Sequence, residues 1–132
     1  MNPISKEWLA AAGDDILVIE KIIDDARLTH LVAFHAQQAI EKSLKALLEH
    51  RGNPVPKAHS LNRLFELCSM DLTLSDTEII NTLDGLYLDS RYPSALGLLP
   101  DGKPGEDDAR AFYDFAVAIH QRISSIVSGV ES

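Results

Sequence analysis

Metal-ligand clusters, paired cysteines and long apolar runs are all missing from this sequence, and each gap removes a class of function. One cysteine, Cys68, cannot close an internal disulfide, and its place beside Leu64 and Phe65 on an apolar stripe makes it a small core residue rather than a nucleophile. The longest aliphatic run, Ile16 to Ile19, falls far short of the ~18 apolar residues of a membrane-spanning helix. Asp14 and Asp15 interrupt the only stretch near the N-terminus that resembles a signal core, so a cytoplasmic protein without membrane attachment is expected. No two histidines are four apart, none has an acid three positions before it, and the cysteine stands alone. Zinc-protease, di-iron-bundle and zinc-finger arrangements are therefore lacking, and neither a metal nor another cofactor is expected. There is no Gly-x-Ser-x-Gly elbow for a serine hydrolase. Gly97 to Lys103 fits the first seven places of a phosphate-binding loop, but Pro104 stands where a Ser or Thr must reach magnesium, and no strand precedes it.

Positive charge is also short. Twelve Lys and Arg face 20 Asp and Glu, for a net charge of −8. That balance argues against a non-specific grip on a nucleic-acid backbone, which depends on neutralising many phosphates. The charge is unevenly spread: residues 27–67 carry six basic against three acidic side chains, whereas the segments on either side are strongly acidic. His30, His35, His50 and His59 fall in the same middle segment. A local positive patch on an acidic body suits a compact anion or an acidic partner surface.

What is present is helical periodicity, over a length of 132 residues that suits one domain spanning 1–132. No segment combines alternation with β-branched residues strongly enough for a strand, so the fold class is all-α. A first helix is expected near Ile4 to Ala26, behind the Asn2-Pro3 cap, with Leu9, Ala12, Ile16, Ile19, Ile23 and Ala26 on one seam. A second runs from about Thr29 to His50 and stops at Arg51-Gly52-Asn53-Pro54. A short third follows Ser60, with Leu61, Leu64, Phe65 and Cys68 inward. The fourth is expected to open with a capping box at Ser75-Asp76-Thr77-Glu78 and to end near Arg91. An irregular connection, Tyr92 to Gly105, leads to a last helix with Glu106, Asp107 and Asp108 at its start. That helix carries a seam of Ala109, Phe112, Ala116, Ile119, Ile123, Ile126 and Val130. Phe115, Val117 and Val127 lie off the seam, an apolar surplus that points to a homodimer.

The second helix holds the most informative residues. Gln38, Lys42, Lys45 and Glu49 share one face, while Ala36, Ile40, Ser43, Leu44 and Leu47 line an apolar one. Two amines kept beside a core either lay their stems over neighbours or have a ligand to meet.

Trp8-Leu9 with Ala12 and Asp15, then Phe34-His35-Ala36-Gln37-Gln38-Ala39-Ile40-Glu41-Lys42-Ser43-Leu44-Lys45-Ala46-Leu47-Leu48, then Gly52, His59-Ser60-Leu61 and Arg91-Tyr92-Pro93 together resemble the HEPN domain family. The resemblance covers nearly the whole chain. It implies an up-and-down antiparallel bundle of four main helices plus one short helix, commonly a homodimer and often encoded beside a minimal nucleotidyltransferase of the polymerase-β type. It also implies a nucleotide or nucleic-acid binder, with one branch of metal-independent ribonuclease toxins that use an Arg followed four to six residues later by His. This chain departs from that branch, since no histidine follows Arg91 until His120. Ala58 also stands where members more often place Thr, which predicts a weakened cap on the third helix.

Residue reading and resemblance meet at Lys42, Lys45, His59, Arg91 and Tyr92, which are expected to converge with Asp15 as counter-ion and Gln38 beside them. Either an ion-pair cluster pins the helices together or these residues bind an anion or nucleotide. The expected function is a noncatalytic HEPN module, dimeric and working with a minimal nucleotidyltransferase in a toxin–antitoxin-like pair. The alternatives are a ribonuclease with an atypical acid–base pair, in which His59 or His120 replaces the missing histidine, and a purely structural interaction protein.

Overall fold

The computed structural model describes residues 2–90 and 103–129, and for residues 88–90 the backbone alone. Its regular structure is helical, with no strand among the described residues. Helix α1 (Pro3–Ile22) begins as the Asn2-Pro3 pair dictates. The Asn2 side chain accepts hydrogen bonds from the backbone N–H groups of Ile4 and Ser5, at 2.9 and 3.2 Å, and Pro3 takes the first turn, where its missing N–H costs nothing. The helix ends at Ile22 rather than Ala26. Asp25 interrupts it: its carboxylate accepts from the Arg27 N–H and caps a separate 3-10 turn, Ala26–Leu28. The Arg27 side chain and N–H together hold that carboxyl down at a pKa of about 2. Ala26 is exposed as a result.

Helix α2 (Thr29–His50) has the expected bounds, and the chain turns after it through Gly52 at φ 72°. Helix α3 (Leu61–Cys68) buries the four predicted residues. Its start is well capped in spite of Ala58. Ser60 accepts from the Arg63 N–H, and Asp84, on the next helix, accepts from the N–H groups of Leu61 and Asn62 at 2.7 and 3.1 Å. Helix α4 (Leu74–Ser90) has its capping box two residues earlier than expected. Asp76 N–H donates to Thr73 Oγ1 and Thr73 N–H donates to the Asp76 carboxylate, both at 3.0 Å, so Thr73 and Asp76 make the reciprocal pair rather than Ser75 and Glu78. Helix α5 (Glu106–Ser128) carries three acids in its first turn and closes at Gly129, φ 78°.

Helix α2 packs against each of the other four helices. Buried Ala33, Ala36, Ala39 and Ala46 keep its surface low, and Ser5 Oγ reaches the Ala46 carbonyl at 2.7 Å. Ser5 near the start of α1 thus meets the end of α2, while Asp15 meets His35 near the start of α2, so the pair is antiparallel. Leu9 with His120 and Glu20 with Tyr113 set α5 antiparallel to α1, and Tyr87 late in α4 lies against Phe34 early in α2. The main helices alternate in direction, with α3 as the short addition.

The core corrects one expectation about α5. Phe115 and Val127 are buried within the chain, with the Phe115 ring 6.1 Å from that of Phe65, and Val117 is half-buried. Packing within the chain absorbs these side chains, so the width of α5 gives no ground for a dimer. No described helix is long and apolar enough to cross a membrane.

Candidate functional site

A helix enclosed by four others has little room for ionised side chains, yet α2 carries Gln37, Gln38, Glu41, Lys42 and Lys45 on a continuous stripe. Two buried carboxylates make this tolerable. Asp15 of α1 is 8% exposed; one of its oxygens accepts from Lys42 Nζ at 2.7 Å and the other pairs with His35 Nδ1 at 2.9 Å. Glu41, 4% exposed, accepts from Lys45 Nζ at 3.1 Å and from Gln37 Nε2 at 3.2 Å, and pairs with His59 Nδ1 at 3.2 Å.

The same unit therefore occurs twice: a carboxylate between a lysine and an imidazole. Each lysine is neutralised from inside the protein, which is what a charge taken from water requires. Lys45, 5% exposed, also has its amine 5.6 Å from the centroid of the Trp8 ring, near enough for a cation–π contact. Fully buried Gln37 gives a further hydrogen bond from Nε2 to the His59 carbonyl at 2.8 Å, and Gln38 Nε2 donates to Gln37 Oε1 at 2.6 Å. His59 is thus held through both backbone and ring, while its side chain remains 50% exposed. A chain of rings joins the two imidazoles: His35 to Phe34 at 5.2 Å, Phe34 to Tyr87 at 6.1 Å and Tyr87 to His59 at 5.6 Å, the first and last edge-on.

A carboxylate at Nδ1 selects the tautomer of each ring. The neutral imidazole keeps its proton on Nδ1, facing the acid, and turns Nε2 away as an acceptor; the imidazolium turns Nε2 away as a donor. Among the described residues no three His, Cys, Asp or Glu side chains are grouped to hold a metal ion.

The HEPN domain profile matches residues 5–126, almost the full length. The chain belongs to the HEPN family. Two solved structures are similar to it. TT1696 from Thermus thermophilus superposes with a TM-score of 0.72 at 26% identity, over 92% of this chain and 96% of that one. ST0689, an archaeal HEPN homologue, superposes with a TM-score of 0.70 at 24% identity, over 96% and 99%. No curated protein matches.

Within this HEPN chain the expected site residues divide. Asp15 meets Lys42, and Lys45 meets His59 through Glu41, so the stripe forms two neighbouring clusters rather than one. Gln38 joins the second cluster through Gln37. Arg91 and Tyr92 lie outside the described residues, as does most of the connection from Tyr92 to Gly105. At its described end, Lys103 donates to the Arg27 carbonyl, so the lysine of the phosphate-loop look-alike is engaged elsewhere. His120 stands apart from the stripe: it bonds the Leu9 carbonyl beside Gly13, between α1 and α5.

The residues that sequence reasoning passed over are His35, Gln37, Glu41 and Tyr87. Glu41 stands four before Lys45, the spacing of a helical ion pair, and His35 stands seven before Lys42, two turns along the same face. Those spacings were the available signal.

Proposed function

We propose that this HEPN chain is a noncatalytic binding module: it takes a phosphate-bearing ligand, a nucleotide or an RNA end, at the α2 stripe and works with a minimal nucleotidyltransferase in a toxin–antitoxin-like pair. The observation that carries this reading is the way His59 is presented. A half-exposed imidazole is fixed at two points by the buried side chains of Gln37 and Glu41, an investment of buried polar groups larger than a helix junction requires. Lys42, quarter-exposed beside Asp15, lies on the same stripe. Arg91 follows Tyr87 by four positions in the sequence, and Arg91 with Tyr92 is assigned to this site as a flat cationic partner for phosphate and a ring for a base. The module acts as a homodimer in this reading, with exposed Ile4, Leu17 and Val18 of α1 and Leu31 of α2 as the apolar surface available for it.

Three experiments test the proposal. Inorganic phosphate or AMP should raise the melting temperature of the wild type, since a ligand bound only by the folded state stabilises it by mass action. Arg91→Glu should fold but lose that response. Co-expression with a minimal nucleotidyltransferase should yield a stable complex, and light scattering should give the mass of a dimer. A flat melting temperature at every phosphate concentration, with Arg91→Glu merely unstable, would leave only the structural role.

One observation favours the ribonuclease alternative: two imidazoles held by carboxylates are the parts of a metal-independent acid–base pair. Arg91 nonetheless lacks a histidine four to six residues on. Nuclease-free protein should leave single-stranded RNA intact in EDTA; cleavage abolished by His59→Ala would establish the alternative.

A further inference from the structure

The lysines of the stripe are the obvious partners for an anion, but the geometry gives that task to another group. Lys45 is buried against Trp8 and Glu41 and has little surface left for a ligand. Building on the anion-binding reading above, we infer that His59 makes the phosphate contact through Nε2, and that Gln37, Glu41 and Lys45 are positioning residues that set where this nitrogen lies and which tautomer it offers.

Each positioning residue has a separable task. Gln37 holds the main chain through the His59 carbonyl, fixing the base of the side chain. Glu41 accepts at Nδ1, both of its oxygens lying within 3.2 to 3.4 Å of that atom, and so fixes ring rotation. Lys45 pairs with the Glu41 carboxylate at 3.1 Å and holds it in place from the next turn of α2. Tyr87 meets the ring edge-on from α4. Among the described residues, the charged and titratable groups around His59 are Glu41 and Lys45 from α2 and Tyr87 and Asp84 from α4, with Asp84 occupied by the N–H groups at the start of α3.

The chemical consequence is specific. With Glu41 at Nδ1, a neutral His59 offers phosphate only a lone pair, which repels it, whereas the imidazolium offers a charge-assisted donor. Phosphate binding should then be coupled to protonation of the ring and weaken as the solution becomes alkaline. A site built on lysine ammonium groups would instead bind more tightly as phosphate itself ionises to the dianion.

The test begins with the ligand-free protein. Nitrogen-15 ring spectra should show neutral His59 protonated on Nδ1 in the wild type, and mostly on Nε2 in Glu41→Gln, whose amide no longer dictates the tautomer. Calorimetry with inorganic phosphate at about pH 8, where the anion is already mostly the dianion, repeated in buffers of different ionisation enthalpy, should show proton uptake in the wild type. His59→Gln should lose at least tenfold in affinity together with the proton uptake, and Glu41→Gln should bind more weakly with a flattened pH profile. Lys45→Met should fold and keep a measurable, pH-dependent affinity. If phosphate binds but His59→Gln binds as tightly, or no proton is taken up, the inference is overturned while the anion site stands. If phosphate does not bind the wild type at all, the underlying reading fails, and this inference with it. An Nε2–H tautomer in the wild type would by itself refute the role given to Glu41.

Discussion

Lys42 and Asp15 join the middle of α2 to the middle of α1 through a 2.7 Å ion pair whose carboxylate is nine-tenths buried. Asp15 also holds His35, so its loss strands two partners, whereas loss of Lys42 strands none. Asp15→Ala should cost about 2–3 kcal/mol, below the full value for a buried pair because Lys42 and His35 keep some solvent. Lys42→Met should cost less than about 1 kcal/mol. Urea denaturation measures both, and equal costs would show that the pair is not organised around Asp15.

Glu41→Ala should be more damaging, at about 3–5 kcal/mol, because Lys45 is left charged at 5% exposure with no carboxylate. Lys45→Met preserves the stem against Trp8 and leaves Glu41 its bonds from Gln37 and His59, so it should cost about 2 kcal/mol or less. Thermal unfolding followed by circular dichroism distinguishes the two.

The register of the α4 cap can be read by alanine substitution. Thr73→Ala removes the acceptor for the Asp76 N–H and should cost about 1 kcal/mol. Ser75→Ala, one turn position inside the helix, should stay within about 0.5 kcal/mol of the wild type. The reverse ranking would restore the box to Ser75 and Glu78.

Burial pushes the Cys68 thiol up to about 11, against a small opposing effect of Arg51. Folded protein at pH 8 should resist iodoacetamide and react only after denaturant is added. Because the folded value is raised, the folded state keeps this contribution to stability below the ordinary thiol range and loses it as pH climbs toward 11. Cys68→Ala should unfold without that alkaline component.

His30 titrates in the opposite sense. Desolvation lowers its pKa, Lys103 adds repulsion, and its Nδ1 is buried without a hydrogen-bond partner among the described residues. The folded state prefers the neutral ring, so its contribution is present above the ordinary imidazole range and is lost as pH falls. Melting temperature should drop less between pH 7 and about 5 in His30→Gln than in the wild type.

Much of the fold was legible because helices announce themselves through periodicity and caps. The bounds of α2 and the inward residues of α3 follow from apolar spacing and from Gly52 and Ser60. The misses share a cause, which is that a local rule had two local solutions. Asp25 could end a seam or cap a new turn, and Thr73 competes with Ser75 for one helix start. At the site, spacing placed Lys42 and Lys45 on one face but could not say that Asp15 and Glu41 would divide them, since that depends on how α1 and α3 approach α2. In the bare sequence Glu41 reads as part of a motif rather than as the acceptor that organises it.

The central position of α2 also governs how the molecule comes apart. Its residues Ala39, Ile40, Leu44 and Ala46 are fully buried and its flanks are shared with every other helix, so no local opening can free their amides. Among the described residues α4 touches α5 only sparsely, and Leu74 at its start is widely exposed. Amide exchange should therefore be fastest along α4 and slowest in the middle of α2, where it proceeds only by unfolding of the whole chain. The polar stripe that holds His59 sits on the last element to let go, so the site stays assembled while the periphery breathes.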